Sequence, residues 1–134
     1  MIALNQAQKA ISAAIKFART SNMKPLAIIV VDTGGHPVAF ARENGATLLR
    51  FDVAHAKAWT ALSLASSSRN YQTMADDRPH FAASLNAITE GKMAASAGGL
   101  VILDDEDEIV GAIGISGDFP DNDELAAQAG IDVL

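Results

Sequence analysis

The 134-residue sequence contains no cysteine. Disulfides, zinc–thiolate centres and thiol nucleophiles are thereby excluded. Aromatic residues are scarce, at 5% with one Trp, one Tyr and five Phe, so the core must be assembled from Ala, Val, Ile and Leu. Small side chains of this kind let helices, or subunits, approach closely. Basic residues are outnumbered 10 to 16, for a net charge of −6. They form no cluster, and a nucleic-acid partner would find no positive footprint. No apolar run approaches the ~20 residues of a membrane span, and the opening MIALNQAQKA lacks a charged segment followed by an apolar one. These absences point to a soluble, cytoplasmic protein with neither a nucleic-acid nor a membrane partner. What is present, 49% hydrophobic and 19% charged residues, is a globular composition. The length suits one domain over residues 1–134, burying about two thirds of its unfolded surface.

Along the chain, Leu4, Ala7, Ile11, Ala14, Ile15 and Ala18 recur at helical spacing. With Asn5 and Gln8 as a capping pair, the pattern predicts a helix over 5–21. Leu26–Val31 is a branched apolar run, expected as a strand buried on both faces. A turn at Asp32–Gly35 then leads into a returning strand, Pro37–Arg42. Residues 47–66 form the longest helical pattern. At 100° per residue, Leu48, Phe51, Ala54, His55, Ala58, Leu62 and Ala65 share one side. Val53, Lys57, Thr60 and Leu64 occupy the other, so the helix is expected to be covered on two sides.

Residues 66–78 are polar and read as a loop with a helical turn around Tyr71–Met74. Pro79 opens a short helix through Ile88. Gly98–Leu103 and Ile109–Ser116 read as a second hairpin with the acidic tip Asp104–Glu108. Within its second strand, Gly111 and Gly114 mark a bulge or a close approach. A last helix runs from Asp121 to Ala129, with Gly130 as its stop. Two hairpins separated by helices exclude an all-parallel sheet and predict an α+β layered fold on a mainly antiparallel sheet.

His55 is the histidine best placed for chemistry, since an imidazole on that helix can ligate a metal ion or serve as a bonded core residue. His36 and His80 fall in a turn and at a helix start, and both read as exposed. No two histidines have helical metal spacing, so no metal centre is expected. The run Asp104–Glu108 reads as a solvated tip. No nucleophile elbow or dinucleotide fingerprint is present, and no catalytic residue is assigned.

Several short motifs in order carry a family resemblance. They are Val30-Val31-Asp32 with Gly34-Gly35, Arg42 with Gly45-Ala46, Lys57-Ala58 with Thr60-Ala61, Gly98-Gly99, Val110 to Gly117, and Asp123 with Ala129-Gly130. Spanning Leu4 to Leu134, they resemble the GlcG/HbpS-like family (the DUF336 or haem-degrading domain), which is similar to the C-terminal domain of PduO-type proteins. One departure is Val101, where the family often has Pro. The resemblance implies a profilin-like α/β (α+β) fold, with a central five-stranded, mainly antiparallel sheet flanked by helices. It also implies homo-oligomers and, in some members, haem binding or haem degradation. On this pattern Lys57 and Thr60 are expected to hold a carboxylate or a haem propionate, with Arg42 adding a bidentate contact. The expected ligand-binding set is Arg42, His55, Lys57 and Thr60.

Three functions compete at this level. The first is a haem- or small-molecule-binding protein that extends to haem turnover. The second is an enzyme or accessory protein of a catabolic pathway acting on a small organic acid. The third is a ligand-free oligomeric scaffold.

Overall fold

The computed structural model describes residues Met1–Leu134. Its elements in order are α1 (Leu4–Thr20), β1 (Ala27–Val31), β2 (Pro37–Arg42), α2 (Arg50–Leu64), α3 (Arg69–Asp77), α4 (Pro79–Ile88), β3 (Gly99–Leu103), β4 (Ile109–Ser116) and α5 (Pro120–Ile131). The strands form one antiparallel sheet in the order β2-β1-β4-β3. The sheet thus has four strands, not the five that a profilin-like plan implies. Arg69 to Ile88 forms two helices, and Gly91 to Ala97 has no regular structure, so nothing extends either edge.

Strand alternation divides the sheet into two cores. Ile28, Val30, Ile113 and Ile115 point to one face, where α1 and α5 cover them with Ala7, Ala10, Ala14, Ala126 and Ala127. Ala27, Ile29, Val31 and Ala112 point to the other, against Ala54, Ala58 and Ala61 of α2. β1 is buried along its whole length, as its unbroken branched apolar run requires.

Some expectations shift in detail. The α1 cap lies two residues earlier, where the Gln6 side chain accepts the Ala3 N–H at 3.2 Å. The segment after residue 68 is a full helix, α3, which buries only Tyr71. The Tyr71 hydroxyl donates to the Ala82 carbonyl at 2.6 Å and thereby ties α3 to α4. Gly130 lies inside α5 rather than stopping it. Its missing side chain admits the Ala10 carbonyl, which would lie 2.8 Å from a Cβ there, so α1 and α5 pack almost backbone to backbone.

The α2 surface differs most. The helix begins at Arg50 rather than Thr47, leaving Leu48 in the preceding turn and 89% exposed, and its buried residues are Ala54, Lys57, Ala58, Thr60 and Ala61, with Phe51 and Leu62 only half-buried. The cause lies across the interface. A Cβ at Gly114 would run into the Ala54 carbonyl and the Ala58 amide, and one at Gly99 into the Lys57 carbonyl. These glycines mark close approaches, and α2 rests its backbone directly on β4 and β3. Only small side chains, or one threaded sideways, fit beneath it.

Candidate functional site

The two sides of α2 do different work. On the sheet side, Lys57 is 2% exposed, and its Nζ donates to the Ile115 carbonyl at 3.0 Å and to Asp123 Oδ2 at 3.1 Å. Asp123 stands in the first turn of α5 and accepts the Asp118 N–H on its other oxygen. Burial pulls the Lys57 ammonium down from its ordinary value, and Asp123 opposes that shift. Burial likewise pushes the Asp123 carboxyl up, and Lys57 opposes it. The pair pins α2 to α5 at the end of the sheet. Thr60 is also fully buried; its Oγ1 donates to the Ala56 carbonyl at 2.7 Å and accepts the Ala94 N–H at 2.9 Å. Both side chains are thus engaged inside the fold.

His55 lies on the outer side of α2, in a cleft of about 360 Å³ lined by Gly34, Gly35, His36, Asp52, His55, Ala56, Trp59, Gly91 and Lys92. The β1–β2 turn forms one wall. Gly35 has φ +81°, and a Cβ there would meet the Trp59 ring at 2.6 Å, so glycine is needed for both the turn and the indole beside it. Asp32 builds this turn by accepting the Gly34 and His36 N–H groups. Its carboxyl is held below the ordinary value chiefly by the His36 backbone bond.

His55 Nε2 lies 2.9 Å from the Gly35 carbonyl oxygen. A carbonyl only accepts, so in the neutral imidazole Nε2 carries the proton and Nδ1 keeps the lone pair. Phe51 packs beside the imidazole with ring centroids 5.9 Å apart, and Phe40 meets Phe51 edge-on at 4.7 Å. The Lys92 ammonium stands 5.7 Å from the Trp59 ring centre. The arrangement offers a nitrogen donor, an indole wall and a cation beside it.

Arg42 is exposed at the end of edge strand β2, opposite Ala27, and lines neither this cleft nor the one described next. The structure therefore does not bring Arg42, His55, Lys57 and Thr60 together: His55 alone lines a cleft. The acidic tip is an exposed turn in which Asp104 Oδ1 accepts the Glu106 and Glu108 N–H groups. A second cleft, also of about 360 Å³, lies at the N-terminal end of α2, lined by Lys24, Pro25, Gly45, Ala46, Thr47, Arg50 and Gly117.

Sequence pattern does not single out Trp59 or Lys92 as ligand contacts. The outward position of Trp59 follows from its two-residue offset from Lys57, once Lys57 is known to face the sheet. Lys92 follows α4 in an irregular segment that carries no periodic signal.

A family model described as haem degrading protein HbpS-like matches residues 2–132. The chain belongs to the HbpS-like family. Its fold is shared by Klebsiella pneumoniae ORFY, a DUF336 protein, at TM-score 0.88 and 28% identity over 98% of this chain and 88% of that one. A double mutant of HbpS from Streptomyces reticuli matches at TM-score 0.86 and 29% identity, over 99% of this chain and 86% of that one. The PduOC:haem complex matches in fold at TM-score 0.88 and 24% identity, covering 99% and 94%. Comparison with curated proteins finds no match. In this HbpS-like chain the motif residues Lys57, Gly99, Gly114 and Asp123 all serve the seating of α2 on the sheet.

Proposed function

We propose that this HbpS-like chain binds haem at the cleft on the outer face of α2, with His55 Nδ1 as the nitrogen offered to the iron. The single observation that carries the reading is the bond from His55 to the Gly35 carbonyl. A ring N–H held by a carbonyl fixes the tautomer and ring orientation, the usual arrangement for a metal-ligating histidine. Trp59 supplies apolar ring surface, Phe51 packs behind the imidazole, and Lys92 and His36 supply donors suited to propionates. The description of the family model and the haem held by PduOC agree with this ligand class. Bound haem would supply iron-centred redox chemistry, while the chain's own residues bind and orient it.

Haemin titration followed by the Soret band tests the reading. The wild-type chain should give a saturable red shift, and His55→Ala should bind about tenfold more weakly or worse, with an altered band position. No shift with the wild type, or the same spectrum and affinity with His55→Ala, would remove the assignment.

A further inference from the structure

We propose that the second cleft, where the β2–α2 turn meets the end of β4, binds a small molecule through an oxyanion head, carboxylate or phosphate, with Arg50 as the principal contact. This stands independently of the haem reading, because none of its residues lines the His55 cleft.

Arg50 is half-buried in the cleft wall. Its Nη1 donates to the buried Ser116 Oγ at 2.9 Å, which fixes the guanidinium through a neutral group. Its other N–H groups find no partner in the chain, and no carboxylate lies within ion-pair distance. Other arginines behave differently: Arg19 pairs with Glu43, and Arg69 with Asp121 and Glu124. A guanidinium fork held in place with free donors facing a cleft suits bidentate recognition of an oxyanion.

The surroundings reinforce this. Lys24 lines the same cleft, with its ammonium 5.3 Å from the Phe119 ring centre and no ion-pair partner. Arg50 also lies near enough to the buried Lys57 ammonium to disfavour its charge. Two of the neighbouring acids are neutralised within the fold, Glu43 by Arg19 and Asp123 by Lys57. Asp118 accepts only from neutral donors, the Lys24 and Phe119 N–H groups and Asn122, and keeps its charge near Lys24, so Lys24 and Arg50 together leave the cleft one positive charge in excess. In a chain of net charge −6, this is a local positive site whose repulsion an anion would relieve. Two backbone walls are glycines at positive φ, Gly45 at +90° and Gly117 at +152°, and the missing Gly117 side chain admits the Pro25 carbonyl, which holds this wall in place.

Amide NMR titration of the full chain tests the proposal, with inorganic phosphate and succinate as probes and sodium chloride as the ionic-strength control. The expected result is saturable shifts at Gly45, Ala46, Thr47 and Gly117, with Kd of about 1 mM for the better probe. The two probes separate phosphate from carboxylate. Arg50→Gln should weaken binding by about tenfold, and Lys24→Ala, which disturbs no buried group, by about threefold. Shifts that merely track sodium chloride, no shifts at these amides, or wild-type affinity in Lys24→Ala and in a folded Arg50→Gln would overturn it. Should Arg50→Gln fail to fold, Lys24→Ala alone decides.

Discussion

Lys57→Met is expected to lower the free energy of unfolding by about 3–5 kcal/mol at neutral pH, because it leaves the Asp123 carboxylate buried without its counter-ion. That is a large part of the roughly 5–15 kcal/mol that holds a domain of this size together. Lys57 and Asp123 are 3% and 1% exposed in their side chains, so water cannot replace the lost partner. The loss should depend on pH in a definite direction. Burial already raises the Asp123 pKa above its ordinary 3.8, and removing the ammonium raises it further. A group with a raised folded pKa contributes stability below its unfolded value and loses it as pH rises through the folded value. The defect of Lys57→Met should therefore shrink as the pH falls toward about 4. Urea unfolding across that range reads it directly. Adding Asp123→Asn, whose side-chain oxygen can still accept the Asp118 N–H, should recover much of the loss. A uniform defect at all pH values would show that the charge is not its cause.

Gly114→Val should be at least as damaging, costing more than about 4 kcal/mol or abolishing soluble protein. A Cβ at residue 114 falls on the Ala54 carbonyl and the Ala58 amide. Both belong to the α2 backbone, so no side chain can rotate away, and the helix must lift from β4. Gly91→Ala provides the contrast. Gly91 has φ +77°, and a Cβ added there would meet nothing within 4 Å, so its cost is only backbone strain, about 1–2 kcal/mol. Circular dichroism and thermal melting of the two variants separate steric exclusion from conformational preference. Equal melting temperatures would refute the backbone contact between α2 and the sheet.

The parts of this fold legible in the sequence are those set by local pattern. β2 and β4 fall on the expected Pro37–Arg42 and Ile109–Ser116, because turn residues and branched apolar runs bound them. α3 is not legible as a full helix, because it buries one residue, Tyr71, in an otherwise polar stretch. The buried face of α2 differs from its apolar pattern for a non-local reason. Large apolar residues mark a buried side only when the opposing surface leaves room, and Gly99 and Gly114 leave none. The partner of Lys57 lies 66 residues away, beyond the reach of any spacing rule. Of the expected ligand residues, His55 reaches a cleft, while Lys57 and Thr60 make their hydrogen bonds inside the fold. A shared motif identifies the helix that matters but does not distinguish residues that seat it from residues that face a ligand.

The proposed haem site on the outer side of α2 is tested most directly by imidazole nitrogen NMR of His55, before and after adding the diamagnetic haem analogue zinc protoporphyrin. The predicted result is an Nε2–H tautomer in the free chain, followed by a large shift of Nδ1 alone as the metal binds, with His36 and His80 Nδ1 not following it. An Nδ1–H tautomer in the free chain, or a His55 spectrum unmoved by saturating zinc protoporphyrin, would contradict it.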